Sequence, residues 1–317
     1  MPISRRALLG AAALVPIAGC AKDAPSATPP SAVPSSASAS SATSASAAAS
    51  ARAEDRHDRL SALERTYGAR LGVFAVDTAT GTTIAHRADE RFAFCSTFKG
   101  LAAAAVLYRN PLSHLDGVVR YTKDDLMKSS VITERHLATG MTIRQVCDAA
   151  VRYSDGTAGN LLLRDLGGPG QLTAYLRGLG DHVTRMDRFE PAIVSATPGD
   201  PRDTTSPRAI GTDYQKIVLG EVLPADKRAF LRDLLERNAT RAGAQRIRAG
   251  VPRGWVVADK TGTGDYGTVN DIAIVWPPDS APLVIAIMSS KATKDAEYQQ
   301  AIIVEAATYV ANTLAPQ

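Results

Sequence analysis

Residues 255–289 read WVVADKTGTGDYGTVNDIAIVWPPDSAPLVIAIMS. Three β-rich runs stand out in this stretch: Trp255 to Thr261, Asp271 to Trp276 and Leu283 to Ser289. Gly262 to Gly267 matches the G-x-G-x-x-G spacing of a nucleotide loop and follows a strand. A nucleotide site needs a helix next, and Asp271 to Trp276 reads as another strand, so the glycines are assigned to a hairpin turn. Upstream, Leu71 to Val76 and Thr82 to His86 flank Asp77-Thr-Ala-Thr-Gly81 and suit a second hairpin. Before it, Leu60, Leu63 and Tyr67 recur at helical spacing until Gly68 stops them. The middle, from about Thr97 to Leu235, is mainly helical and broken by Gly and Pro clusters, and a last helix is expected from about Asp295 to Leu314. Strands at both ends with helices between predict an α+β fold. An antiparallel sheet built from both termini is flanked by helices (about 54–90 and 236–317), and an all-helical lobe (about 91–235) is inserted in its middle.

The chain has 317 residues, 45% hydrophobic and 21% charged, enough for a substantial core. Its formal net charge of +4 includes Arg5 and Arg6 of a leader, so the balance of the body lies nearer neutrality and gives no footprint for nucleic acid. No apolar run is long enough for a spanning helix. Residues 1–20 join Ser4-Arg5-Arg6 to an apolar stretch ending in Ile17-Ala-Gly-Cys20, which reads as an export leader. The paired arginines resemble a twin-arginine signal, with general secretory export as the alternative. The Ile-Ala-Gly-Cys ending resembles a lipoprotein box, in which Cys20 would be lipidated and tether the protein to a membrane; cleavage further downstream is the alternative. Residues 21–53 are almost entirely Ala, Ser, Pro and Thr and read as a disordered linker with an r.m.s. span of roughly 30 Å. Folded chain is expected from near Glu54. Cys95 and Cys147 are expected to remain buried thiols.

Ser96-Thr97-Phe98-Lys99 enters the apolar stretch Leu101 to Leu107, so the serine is expected in the first turn of a buried helix with Lys99 on the same face. A neutral Lys99 amine there could take the serine proton, and helix N-terminal amides favour the charge that develops on attack. A Ser-x-x-Lys pair arises by composition about once in a chain this size, so it needs support from elsewhere. Ser154-Asp155-Gly156, Lys260-Thr261-Gly262 and Glu190 in Asp187-Arg-Phe-Glu-Pro191 supply it.

With these elements in this order and spacing, the chain resembles the class A serine β-lactamases, whose signature is Ser-x-x-Lys, Ser-Asp-Asn and Lys-Thr-Gly. The likeness extends through Tyr153-Ser-Asp-Gly-Thr-Ala-Gly-Asn-Leu-Leu-Leu163 and Arg202-Asp-Thr-Thr205, from about Leu60 to the C-terminus. It implies a β-lactamase/transpeptidase-like fold, a β-lactam substrate, a monomer, and no cofactor or metal. It implies Ser96 as nucleophile, the backbone N–H groups of Ser96 and Thr263 as oxyanion donors, and Ser154 as proton relay to the departing nitrogen. Lys260, Thr261, Gly262 and Thr263 would line the substrate-carboxylate site, and Glu190 would activate the water that releases Ser96. An arginine and an aspartate, Arg188 and Asp203, would close the Ω-shaped loop that carries Glu190. Two other classes share the triplets: a D-Ala-D-Ala peptidase, which lacks the glutamate loop, and a β-lactam sensor that is acylated once.

Four positions depart from the pattern. Gly156 stands where the signature has asparagine and predicts a wider pocket. Val194 stands where an asparagine often helps hold the hydrolytic water, which predicts slower deacylation for some substrates. Val269 replaces a carboxylate-supporting arginine, and Arg246 matches the position from which other members supply that charge; the alternative is a surface arginine of the basic run Arg241 to Arg248. Ala103 replaces a cysteine that elsewhere bridges to the match of Cys147. The five histidines form no zinc pattern, and Cys95 has no histidine partner in a motif.

Overall fold

The computed structural model describes residues 58–315; the leader, Cys20 and the linker of the sequence reading lie outside the described residues. Helix α1 (58–67) buries Leu60 and Leu63 and stops at Gly68, whose φ of +55° suits a residue without Cβ. Strands β1 (Arg70–Asp77) and β2 (Thr83–His86) follow as an antiparallel hairpin. The short strand β3 (Phe92–Ala93) precedes the central helix α2 (Phe98–Arg109). Next come β4 (Val118–Val119), β5 (Met141–Thr142), α3 (Ile143–Arg152), α4 (Gly156–Leu166) and α5 (Pro169–Gly178). Strand β6 (Thr204–Thr205) pairs with β3 and leads into α6 (Pro207–Val218) and α7 (Ala225–Glu236). Two single-turn helices, α8 (Arg241–Ala244) and α9 (Ile247–Gly250), return the chain to the sheet. The strands β7 (Val256–Gly264), β8 (Thr268–Trp276) and β9 (Leu283–Ser290) and the helix α10 (Ala301–Leu314) complete it.

The main sheet has the order β2-β1-β9-β8-β7 and is antiparallel throughout, so β9 from the C-terminal part pairs with β1 from the N-terminal part. This is the mixed α and β architecture expected from strands at both ends. Its central strands are apolar almost without alternation because both faces are covered. Successive side chains point to opposite faces, so Ile272, Ile274, Ala286 and Met288 join the core under α2 while Ala273, Val275, Ile285 and Ile287 join the core under α1 and α10. A strand buried on both sides loses the hydrophobic-polar alternation of a half-exposed one.

Two boundaries differ from expectation. The strands β7 and β8 run closer to their shared turn than the apolar residues suggest, and Tyr266 and Gly267 make that turn at φ +56° and +57°. The last helix begins at Ala301 rather than near Asp295. Gln300, just before it, bonds through its side chain to Arg246 and Gln245 and makes no side-chain cap to the helix.

Candidate active site

Ser96 sits one step before its expected helix, in a 3-10 turn, Cys95–Thr97, that feeds α2. Three contacts hold the turn. Thr97 Oγ1 donates to Phe94 O at 2.8 Å, Tyr214 Oη on α6 donates to Thr97 O at 2.7 Å, and Asn270 Nδ2 on β8 donates to Ala93 O at 2.8 Å. Cys95 stands in the left-handed region at φ +48°, with its thiol turned into the protein. Burial pushes that thiol up to about 12, so it stays protonated. Cys147 is likewise a buried free thiol.

Helix α2 is buried from Phe98 to Leu107, which takes Lys99 out of water and leaves its ammonium to be satisfied by protein alone. Its Nζ lies 3.0 Å from Ser96 Oγ, 2.7 Å from Glu190 Oε1 and 2.7 Å from the Ser154 carbonyl. Three acceptors match the three N–H bonds of an ammonium. Glu190 Oε1 is also 3.5 Å from Ser96 Oγ, so serine, lysine and glutamate form one triangle.

Ser154 lies between α3 and α4 at φ +56° and presents its carbonyl to Lys99 and its hydroxyl to Lys260, whose Nζ donates to Ser154 Oγ at 3.0 Å. Asp155 makes that conformation rigid: it caps α4 through Ala158 N and accepts from the amides of Ile132 and Thr133, each at 2.9 Å. Lys260 is fully buried on β7, an edge strand of the sheet. Burial and the nearby Lys99 charge lower its ammonium to about 7.

Gly262 and the turn before α2 touch: a Cβ on Gly262 would lie 2.6 Å from Phe94 O. Thr261 is buried and Thr263, two residues on along the edge strand, is half-exposed. Val269 pairs with Thr263 across the register and points into the core under α1 and α10. Arg246 is 1% exposed, which removes the surface-arginine alternative. Its Nη1 donates to Gly262 O and Asn270 O, its Nε to Gln300 Oε1, and its Nη2 to Thr263 Oγ1 at 2.7 Å.

Glu190 lies on a loop closed at its ends by Arg188, which donates to Asp203; Asp203 in turn accepts from the amides of Asp187 and Arg188. Asn160 on α4 clamps the Glu190 backbone from both sides, donating to its carbonyl at 3.0 Å and accepting from its amide at 2.9 Å. Sequence reasoning assigned no role to Asn160, Asp155 or Tyr214. The helix-start position of Asp155 is a readable signal; the other two act on backbone atoms contributed from far along the chain. A Cβ on Gly156 would lie 2.4 Å from both Glu190 Oε2 and Ser129 Oγ, so the missing side chain lets those two groups approach α4. Among the described residues no group of three or more His, Cys, Asp or Glu side chains is placed to hold a metal ion.

The β-lactamase enzyme family matches residues 55–314 of this chain. A β-lactamase of Mycobacterium tuberculosis is 53% identical over 317 residues, covering 98% of this chain and 97% of the relative. One from Bacillus amyloliquefaciens is 56% identical over 245 residues, 77% of this chain and 79% of the relative. Among solved structures, a β-lactamase from Desulfarculus baarsii superposes with a TM-score of 0.81 at 49% identity, covering 83% of this chain and 98% of that one. A class A β-lactamase from Clostridium kluyveri gives a TM-score of 0.79 at 46% identity over 81% and 97%.

Proposed function

Because the chain belongs to the β-lactamase enzyme family, as a serine enzyme of class A, we propose that the triangle of Ser96, Lys99 and Glu190 is where it hydrolyses β-lactams. β-Lactam hydrolysis, with antibiotic resistance as its consequence, is its activity. The observation that supports this placement best is that one lysine ammonium touches both the hydroxyl and the carboxylate.

In the mechanism we propose, Ser96 Oγ attacks the lactam carbonyl carbon. Its proton passes to the Lys99–Glu190 pair, since moving one proton across their 2.7 Å contact leaves Lys99 a neutral amine 3.0 Å from the hydroxyl. The oxyanion is taken by the backbone N–H groups of Ser96 and Thr263, a contribution worth about two to three powers of ten per donor. The ring C–N bond then breaks, and Ser154 hands a proton to the nitrogen, resupplied from Lys99 or Lys260. In the second half, Glu190 takes a proton from water, hydroxide attacks the Ser96 ester, and the serine leaves with its proton restored. Lys260, Thr261 and Thr263 bind the substrate carboxylate around Gly262, and Arg246 supports it through the Thr263 hydroxyl rather than by direct approach. Gly156 brings α4 close under Glu190. Val194 leaves the water held by Glu190 and Ser96 alone, which slows deacylation for some substrates; Val194→Asn raises the deacylation rate for at least one of them.

The export leader and a lipidated Cys20 tether belong to the same proposal, supported by Arg5-Arg6 and Ile17-Ala-Gly-Cys20. No helix among the described residues is long and apolar enough to cross a membrane. We take the working form to be a monomer. The test of function is a chromogenic cephalosporin mixed with the purified chain: many turnovers per molecule are expected, and none from Ser96→Ala. A single stoichiometric burst from the unaltered chain contradicts hydrolysis.

A further inference from the structure

One cavity lies away from Ser96. It encloses about 720 Å³ between residues 193–202 of the Glu190 loop and the strand ends at Arg70, Phe92, Thr268 and Lys291. That volume lies within the range of small-molecule sites, roughly 300–1,000 Å³. Its wall combines apolar surface, that of Ala69, Pro198 and Ala292 included, with charge that does not cancel. Five cationic side chains line it, Arg70, Arg91, Arg188, Arg202 and Lys291, against two carboxylates, Glu90 and Asp200.

The arginines are partly committed. Arg70 donates to Glu90 and Arg202 to Asp200, Arg91 donates to Val183 O and Thr204 Oγ1, and Arg188 uses Nε on Asp203. Lys291 has no carboxylate or hydrogen-bond partner for its ammonium among the described residues. Thr268 also lines the cavity; it is 1% exposed, and its hydroxyl has no hydrogen-bond partner there. Buried hydroxyls ordinarily find a partner, so this one is open to a ligand group that reaches it. A free ammonium, an orphaned hydroxyl and a surplus of guanidinium over an apolar wall form one recognition pattern.

We propose that this cavity is a second binding site, for a small organic anion with an aromatic or otherwise apolar body. The apolar wall takes the body, and Lys291, Thr268 and the spare N–H groups of Arg91 and Arg188 take the anionic group. The occupant would touch the segment that continues from Glu190, yet the inference rests on the cavity alone and not on any catalytic assignment.

The test uses 8-anilino-1-naphthalenesulfonate as the probe, titrated by fluorescence against the full chain. N-phenyl-1-naphthylamine, which keeps the aromatic body and lacks the sulfonate, serves as its neutral counterpart. One saturable site per chain is expected, weakened at least about tenfold by Lys291→Glu and severalfold by Thr268→Val. Arg120→Glu, an equal charge reversal at an exposed position in the helical lobe, is expected to leave it unchanged. Circular dichroism checks that each variant folds, and Thr268→Val, nearly isosteric, carries the test if Lys291→Glu does not. Equal binding of the neutral compound, equal effects of Lys291→Glu and Arg120→Glu, or several weak sites per chain would each overturn the proposal.

Discussion

Burial and the Lys99 charge hold the Lys260 ammonium near 7, against about 10.5 in an unfolded chain. The cation proposed to bind the substrate carboxylate is therefore present below that value and lost above it. The KM for a carboxylate-bearing cephalosporin is expected to rise between about pH 7 and pH 9. A guanidinium keeps its charge across that range, so in Lys260→Arg the KM, whatever its level, stays flat with pH. A pH-independent KM in the unaltered enzyme would show that the cation is not what binds. Between about 7 and 10.5 the unfolded chain binds the proton that the folded one has released, so the cost of burying Lys260 shrinks as pH rises. Ser96, Lys99, Ser154 and Lys260 were legible at this scale because their chemistry fixes residue types within short windows. Arg246 was legible by position but not by environment, since no spacing rule says that an arginine in a basic run will be buried beneath a strand.

At the scale of elements, the loop from Arg188 to Asp203 and helix α4 act as one unit through Asn160, whose two hydrogen bonds set the height of Glu190 over Ser96. Asn160→Ala is expected to lower the deacylation rate about 10- to 100-fold while acylation changes less, read by pre-steady-state bursts, because small displacements of a positioned base carry losses of this size. Equal losses in both steps would place the effect elsewhere. Strand β7 and the turn that carries Ser96 meet at Gly262 with no room for a methyl group. Gly262→Ala is expected to cost about 1–3 kcal/mol in urea unfolding, the usual range for forced overpacking; an unchanged midpoint would mean that the strand yields freely. These contacts were hidden from the sequence because they join backbone atoms on elements far apart in the chain.

Across the whole molecule, the sheet was readable because β8 and β9 feed two cores and leave unbroken apolar runs. The start of the last helix was misread because no side chain caps it, so the sequence carries no start signal at Ala301. Asp213 on α6 is another feature that only the fold exposes. Burial and the neighbouring Asp181 carboxylate push its carboxyl up to about 9, with Lys216 and Arg177 opposing. Between the unfolded value near 3.8 and about 9 the folded chain keeps a proton that the unfolded chain has lost, so this contribution to stability falls as pH rises. Asp213→Asn removes the titration, and from pH 5 to pH 8.5 it is expected to gain on the unaltered chain by at least ~1 kcal/mol in urea unfolding; parallel pH profiles would contradict this.

In the proposed mechanism Ser96 is acylated and Glu190 releases it. Intact-protein mass spectrometry after mixing with a cephalosporin tests both halves at once. Glu190→Ala is expected to carry one opened substrate that persists, the unaltered chain to clear it within the dead time, and the double variant with Ser96→Ala to carry none. An adduct on the double variant, or a Glu190→Ala chain that turns over like the unaltered one, would contradict it.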